Sequence, residues 1–269
     1  MPFVDREDKR IFYEEIDLTP PWIVNPQTIM LHHGIGTTSG VWSDWLPVLS
    51  GMYRLLRLDM RGFGQSSTAE KAGEWSLDLL ADDAIAVADH AGCSRFHFVG
   101  ESIGGTLGLF LAIRHPQRLQ TLTVSNGAHR GVEIQNVQQW GTLIEQQGQE
   151  AWSRQLMEWR FYPGALSDAH YQWFHRQQST SSLSATLDLA KLLLQIDLSA
   201  EVSKIELPVL LLSPDNSPFI PVSVMVDLFA RLGNAVLQVF PHTRHGLPYS
   251  NGAECAAVLK KFLDKRVAV

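Results

Sequence analysis

Three short stretches of this chain carry residue types that could cleave a carbonyl bond. The first is Val99-Gly100-Glu101-Ser102-Ile103-Gly104-Gly105. It reads Gly-x-Ser-x-Gly between an apolar run (Phe96, Phe98, Val99) and an apolar helix pattern (Leu107 to Ile113). Strand, sharp turn and helix in that order make a nucleophile elbow, with glycines that let the backbone pass close to itself. Ser102 is a weak nucleophile at its own pKa and needs a neighbouring base. The second stretch supplies one: Pro241-His242-Thr243-Arg244-His245-Gly246 follows the strand-like run Val236 to Phe240. His245 is the expected base, ahead of His242, because it precedes a glycine on a late loop and an imidazole titrates near working pH. The third is His32-His33-Gly34-Ile35-Gly36, at the end of the apolar run Thr28 to Leu31. Loops of this kind aim backbone N–H groups at a developing oxyanion.

Around these stretches the text alternates. Strand-like runs occur near 10–16, 28–32, 53–58, 95–99, 119–125, 207–213 and 235–240. Helical patterns lie near 41–50, 77–91, 103–114, 221–232 and 252–265. Alternation predicts an α/β fold with a mostly parallel sheet flanked by helices. Between about Ala128 and Glu201 strand signals vanish, and helices are predicted over 132–147, 149–159, 167–177 and 182–194. Trp140, Trp152, Trp159, Phe161, Tyr162, Trp173 and Phe174 concentrate there. Most of them are expected to pack this segment onto the core, with one or two lining an apolar pocket.

The order Ser before His, with Leu58-Asp59-Met60-Arg61-Gly62-Phe63-Gly64-Gln65-Ser66, resembles the α/β-hydrolase family. The resemblance covers nearly the whole chain and points to small cofactor-free hydrolases, such as 3-oxoadipate enol-lactonases and meta-cleavage-product hydrolases. It implies an eight-stranded-type sheet with a helical cap inserted after the sixth strand. Residues 1–127 and 201–269 would form the core and 128–200 the cap. It also implies backbone oxyanion donors at Ile35 and Ile103 and a catalytic acid for His245.

The acid departs from the family pattern. The family places it after the seventh strand, where this chain reads Ser213-Pro214-Asp215-Asn216-Ser217-Pro218. Aligned on Pro218 and Pro221, the acid position holds Ser217, with Asp215 two residues earlier. The other family position, after the sixth strand, reads Ser125-Asn126-Gly127. Asp215 is the preferred acid; the alternatives are Ser217 or Asn126 as a neutral partner, or the absence of a full triad. Glu101 is read as structural and turned away from the serine. His32, Arg61, Arg130, Trp140, Trp159, Arg160 and Tyr162 are candidates to touch substrate, the arginines through a carboxylate.

Composition bounds the rest. The chain has 269 residues, 45% of them apolar, enough for one sizeable core. A net charge of −6 with few basic clusters argues against nucleic-acid or anionic-membrane surfaces. Cys93 and Cys255 read as buried thiols of a reducing cytoplasm, without metal-ligand spacing. No apolar signal core or bilayer-length run is present. The glycine-rich stretches lack the remaining residues of dinucleotide and phosphate loops. The expectation is therefore a cytoplasmic, cofactor-free serine hydrolase of a small ester, lactone or thioester with an apolar part, and a homodimer could form through a cap helix. The resemblance leaves open a carbon–carbon bond hydrolase of a diketone-like acid, a dioxygenase or lyase using His245 as base, and a lactone-binding receptor.

Overall fold

A computed structural model describes residues 3–6, 9–66 and 75–267. Its strands are β1 (Phe3–Arg6), β2 (Lys9–Ile16), β3 (Thr28–His32), β4 (Arg54–Leu58), β5 (Phe96–Glu101), β6 (Leu119–Ser125), β7 (Val209–Pro214) and β8 (Ala235–Phe240). They form one eight-stranded sheet in the order β1-β2-β4-β3-β5-β6-β7-β8. The β1–β2 and β2–β4 pairs are antiparallel, and the remaining pairs are parallel. Every residue of β3, β5 and β7 is buried, as expected of central strands covered on both faces.

The helices are α1 (Leu46–Leu49), α2 (Leu77–His90), α3 (Ile103–Arg114), α4 (Trp140–Arg160), α5 (Asp168–Ser179), α6 (Leu183–Gln195), α7 (Val222–Arg231), α8 (Leu247–Ser250) and α9 (Gly252–Val267). Two apolar clusters fill the layers. One joins Phe96, Phe98, Leu107, Leu111 and Val224. The other joins Leu31, Val99, Leu212, Leu259 and Leu263. Cys93 and Cys255 are buried free thiols. Among the described residues no helix is long and apolar enough to cross a membrane.

Three helices, α4 to α6, lie between β6 and β7, where the sequence predicts a helical insertion. Two details differ from the sequence reading. The stretch 132–139 forms short 3-10 turns rather than a helix, since Asn136 sits at φ 63° and interrupts any helical run. The helices predicted over 132–147 and 149–159 become one element, α4, broken at Gly148 (φ 83°, ψ 164°). Its aromatic residues pack inward: Trp140 and Trp152 are buried and meet edge to face at 5.4 Å. The hairpin strand β1 escapes the sequence reading, because it is short and half its residues are charged.

Candidate active site

Ser102 stands between β5 and α3 with φ 56° and ψ −119°. A non-glycine residue in that region stores strain, and here the strain turns the side chain out of the sheet into the cleft. The turn tolerates no Cβ at its entry. A Cβ on Gly100 would lie 2.0 Å from the Gly104 carbonyl oxygen and 2.6 Å from the Gly105 nitrogen. Backbone cannot swing aside as a side chain can. Gly100→Ala is therefore expected to cost about 4 kcal/mol or more, read as a lowered urea midpoint or loss of folded protein; an unchanged midpoint would contradict the tight turn.

The loop after β8 brings His245 to the serine, with Nε2 3.3 Å from Ser102 Oγ. Phe219 closes on the imidazole edge to face at 4.7 Å and is itself braced by Trp140 and Trp159. Both catalytic candidates are buried, Ser102 at 8% exposure and His245 at 2%. Burial, aided by the Arg160 charge, holds the His245 pKa well below the ordinary imidazole range. A neutral imidazole can accept the serine proton.

The other ring nitrogen meets neutral partners. Asn126 Nδ2 lies 2.5 Å from His245 Nδ1 and donates to the His245 carbonyl oxygen at 3.3 Å. Ser217 Oγ lies 3.1 Å from the same Nδ1. Asn126 takes a left-handed backbone (φ 54°) at the end of β6, which points its amide along the sheet edge toward the imidazole. Asp215, the preferred acid of the sequence reading, is a correction. Its Oδ2 accepts from the His242 amide at 2.8 Å and its Oδ1 from the Thr243 amide at 3.0 Å. It shapes the histidine loop instead of orienting the imidazole.

Glu101 is a second correction, since it does not turn away from the serine. Its carboxylate reaches 3.7 Å from His245 Nε2 and 3.8 Å from Arg160 Nη1. It also accepts from the Gly34 amide. Burial pushes its pKa up to about 7, against the Arg160 charge and the Gly34 hydrogen bond. Arg160, at the end of α4, is 3% exposed, donates to Gln178 Oε1 and the Ile35 carbonyl, and lines a small cavity with Glu101. Of the residues proposed to touch substrate, it is the one whose side chain reaches this carboxylate.

The other candidates are placed elsewhere. His32 lies under the elbow, where its Nδ1 would be 2.8 Å from a Cβ on Gly104, and bonds the His33 carbonyl. Arg61 forms a bidentate pair with Asp83, both bonds at 2.6 Å, so it braces the loop after β4 rather than gripping substrate. Arg130 pairs with Glu133 at 3.0 Å. Trp140 and Trp159 serve as the wall behind Phe219. Tyr162 stacks on His242 at 4.3 Å and lines a surface depression of about 590 Å³ with Phe161, Tyr171 and Arg244. Ile103 opens α3, so its amide is among the helix-start N–H groups without an intrahelical acceptor. Away from the cleft, His129, Glu133 and Asp227 lie close enough to share a cation, but Arg130 and Arg231 already pair with the two carboxylates.

The buried histidines give the fold a pH dependence. Burial lowers the pKa of His32 to about 3 and of His97 to about 4, from 6.5. Both are neutral when folded and gain a proton more readily when unfolded. Their stabilisation is complete above pH 6.5 and is lost as pH falls toward about 4, at ~1.4 kcal/mol per pH unit for each group. The raised Glu101 value acts oppositely between 4.5 and about 7 and offsets one of the two. The urea midpoint is expected to fall between pH 6.5 and 4.5; a rise across that window would contradict the buried neutral imidazoles.

The family described as alpha/beta hydrolase fold matches residues 27–150. The chain is 28% identical over 231 residues to "Putative carbamate hydrolase RutD" of Pantoea ananatis, with 81% of this chain and 78% of that one covered. It is 25% identical over 239 residues to 3-oxoadipate enol-lactonase 2 of Acinetobacter baylyi, with 87% and 89% covered. Among solved structures, the enol-lactonase of Burkholderia xenovorans LB400 superposes with a TM-score of 0.88 at 20% identity, covering 98% of this chain and 100% of that one. Together with the sheet order and the strand–Ser102–helix turn, these likenesses show that the chain has the α/β-hydrolase fold.

Proposed function

We propose that the chain is a serine hydrolase of small carbonyl substrates, acting on an ester, lactone or carbamate through Ser102 and His245. The observation that carries this reading is the strained Ser102 with its Oγ 3.3 Å from His245 Nε2. Ser102 Oγ attacks the carbonyl carbon as its proton passes to His245 Nε2. The Ile35 and Ile103 amides receive the oxyanion. The imidazolium then returns its proton to the leaving oxygen or nitrogen, and water releases the acyl or carbamoyl group by the same route. Relatives named as a carbamate hydrolase and an enol-lactonase support small substrates of this class.

His245 must carry its proton on Nδ1 to act as base. Ser217 Oγ can accept that proton, and so can Asn126 Oδ1 after a half-turn of its carboxamide. That Oδ1 is buried and without a partner among the described residues, so the rotation gives it a donor in exchange for the Nδ2 bond to the His245 carbonyl. Neutral acceptors orient the ring but leave its developing charge uncompensated. The cavity beside Glu101 holds only about 10 Å³, roughly the room of one water. Arg160 of α4 and Phe174 of α5 line this space, so residues 128–200 act as a cap over the cleft.

A panel of p-nitrophenyl acetate, p-nitrophenyl butyrate, γ-butyrolactone and methyl carbamate tests the reading. Turnover of at least one, abolished in Ser102→Ala, is expected. No turnover by folded protein would count against hydrolysis of these small substrates.

A further inference from the structure

Hydrolysis through Ser102 and His245, on which this inference rests, creates an imidazolium whose Nδ1 side offers no charge. Asn126 and Ser217 are neutral, and Asp215 is held by the His242 and Thr243 amides. A carboxyl group nevertheless faces the ring from the opposite side. Glu101 Oε1 is 3.7 Å from Nε2, and both side chains are buried. At that distance, between buried side chains, an ion pair is far less screened than at the surface.

We propose that Glu101, the residue before the nucleophile, is the charge partner of His245, replacing from the Nε2 side the carboxylate that a serine hydrolase triad holds at Nδ1. When Ser102 Oγ bonds the carbonyl carbon and its proton reaches Nε2, the imidazolium and the Glu101 carboxylate form a buried pair. When the tetrahedral intermediate collapses, the Nε2 proton leaves with the departing group and Glu101 keeps its charge. Glu101 transfers no proton and touches no substrate in this scheme; it is a positioning residue acting through His245.

Its placement is built rather than incidental. The Gly34 amide holds one side of the carboxylate, and a Cβ on Gly34 would fall 2.0 Å from Glu101 Oε2, so only glycine leaves it room. Arg160 reaches it from the end of α4 at 3.8 Å. Among the described residues, Arg160 and His245 are the charged or titratable side chains paired with it. The Arg160 charge by itself disfavours an imidazolium at His245, and the Glu101 carboxylate between them offsets it. Arg160 also donates to the Ile35 carbonyl. The cap thus secures both the carboxylate and the oxyanion loop.

Burial places the Glu101 pKa at about 7. The pairing requires the carboxylate, so wild-type kcat/KM on a p-nitrophenyl ester should rise through an ionisation near pH 7. In Glu101→Gln that limb should disappear, with kcat/KM about 10- to 100-fold lower at pH 8 and little changed at pH 6. In a Ser217→Asp background, where a carboxylate sits at Nδ1, the same substitution should cost at most a few-fold. A uniform loss at all pH values, or an equal loss in both backgrounds, would overturn the inference in favour of a packing role. If Glu101→Gln does not fold, the wild-type profile still decides: a rate flat from pH 6 to 8 excludes the proposed role. Acylation of Ser102 by a fluorophosphonate separates the two readings, since labelled Ser102 with an unaltered Glu101→Gln profile leaves the hydrolase standing and removes only this step.

Discussion

Ser102→Ala is expected to lower kcat on any substrate the protein turns over by about 10³-fold or more, with the folded state intact. The side chain is buried and its Oγ contacts His245 at 3.3 Å. Removing one oxygen leaves the elbow backbone unchanged and takes away the bond-forming atom. In a serine protease, removing the nucleophile or its histidine alone costs about as much as removing the whole set. His245→Ala should therefore fall to a similar residual rate, and the double variant should be no worse than either single one. Additive losses would mean that the two residues do not act as a unit. Steady-state rates of the three variants on one activated ester, with far-UV circular dichroism to establish folding, make the comparison.

The second large effect has the opposite sign. Ser217→Asp is expected to raise kcat/KM by about 10- to 10³-fold, since replacing the acid of a triad with a neutral partner costs about 10⁴. The site is prepared for a carboxylate. Ser217 Oγ already lies 3.1 Å from His245 Nδ1 and accepts from the Ile220 amide at 3.1 Å and the Phe219 amide at 3.3 Å. Two converging N–H donors and an imidazole N–H are what a buried carboxylate needs to stay ionised. Asn126 Nδ2 stands beside the same nitrogen, within reach of the new group. The gain should come with a pH profile governed by the imidazole rather than by Glu101. A folded Ser217→Asp variant that is slower than wild type would show that the neutral Nδ1 partners are required by the chemistry.

Much of this site is legible in the sequence, and the parts that are not have identifiable causes. The elbow shows because its requirements are local: an apolar strand, two glycines that exclude Cβ atoms, and an apolar helix all fall within a few residues of Ser102. His245 shows because a strand precedes it and a glycine follows it. The α/β fold and the helical insertion follow from strand and helix texts whose bounds agree closely with β3, β6, α3 and α7.

The acid is not legible because it depends on where a loop points. Asp215 lies two residues from Ser217, yet a pair of loop amides captures its carboxylate while the serine faces the ring. Asn126 and Ser217 could be named as neutral alternatives from position alone, but their joint approach to Nδ1 is a property of the assembled sheet edge. Glu101 is misread for a related reason. Alternation along a strand would send its side chain opposite to Ser102, but the left-handed turn at Ser102 breaks the alternation. Its partner Arg160 arrives from α4, 59 positions further along the chain, so no local pattern announces the pair. The substrate candidates divide in the same way. Arg160 lies at the cleft, whereas Arg61 is committed to Asp83 and His32 lies beneath the elbow.

The central claim is that Ser102 is an activated nucleophile. Intact mass after treatment with a fluorophosphonate, with the adduct mapped by peptide sequencing, tests it most directly. Rapid one-to-one labelling at Ser102 is expected, absent in Ser102→Ala and strongly slowed in His245→Ala. Folded protein that stays unlabelled, or that labels at another residue with Ser102 free, would contradict it.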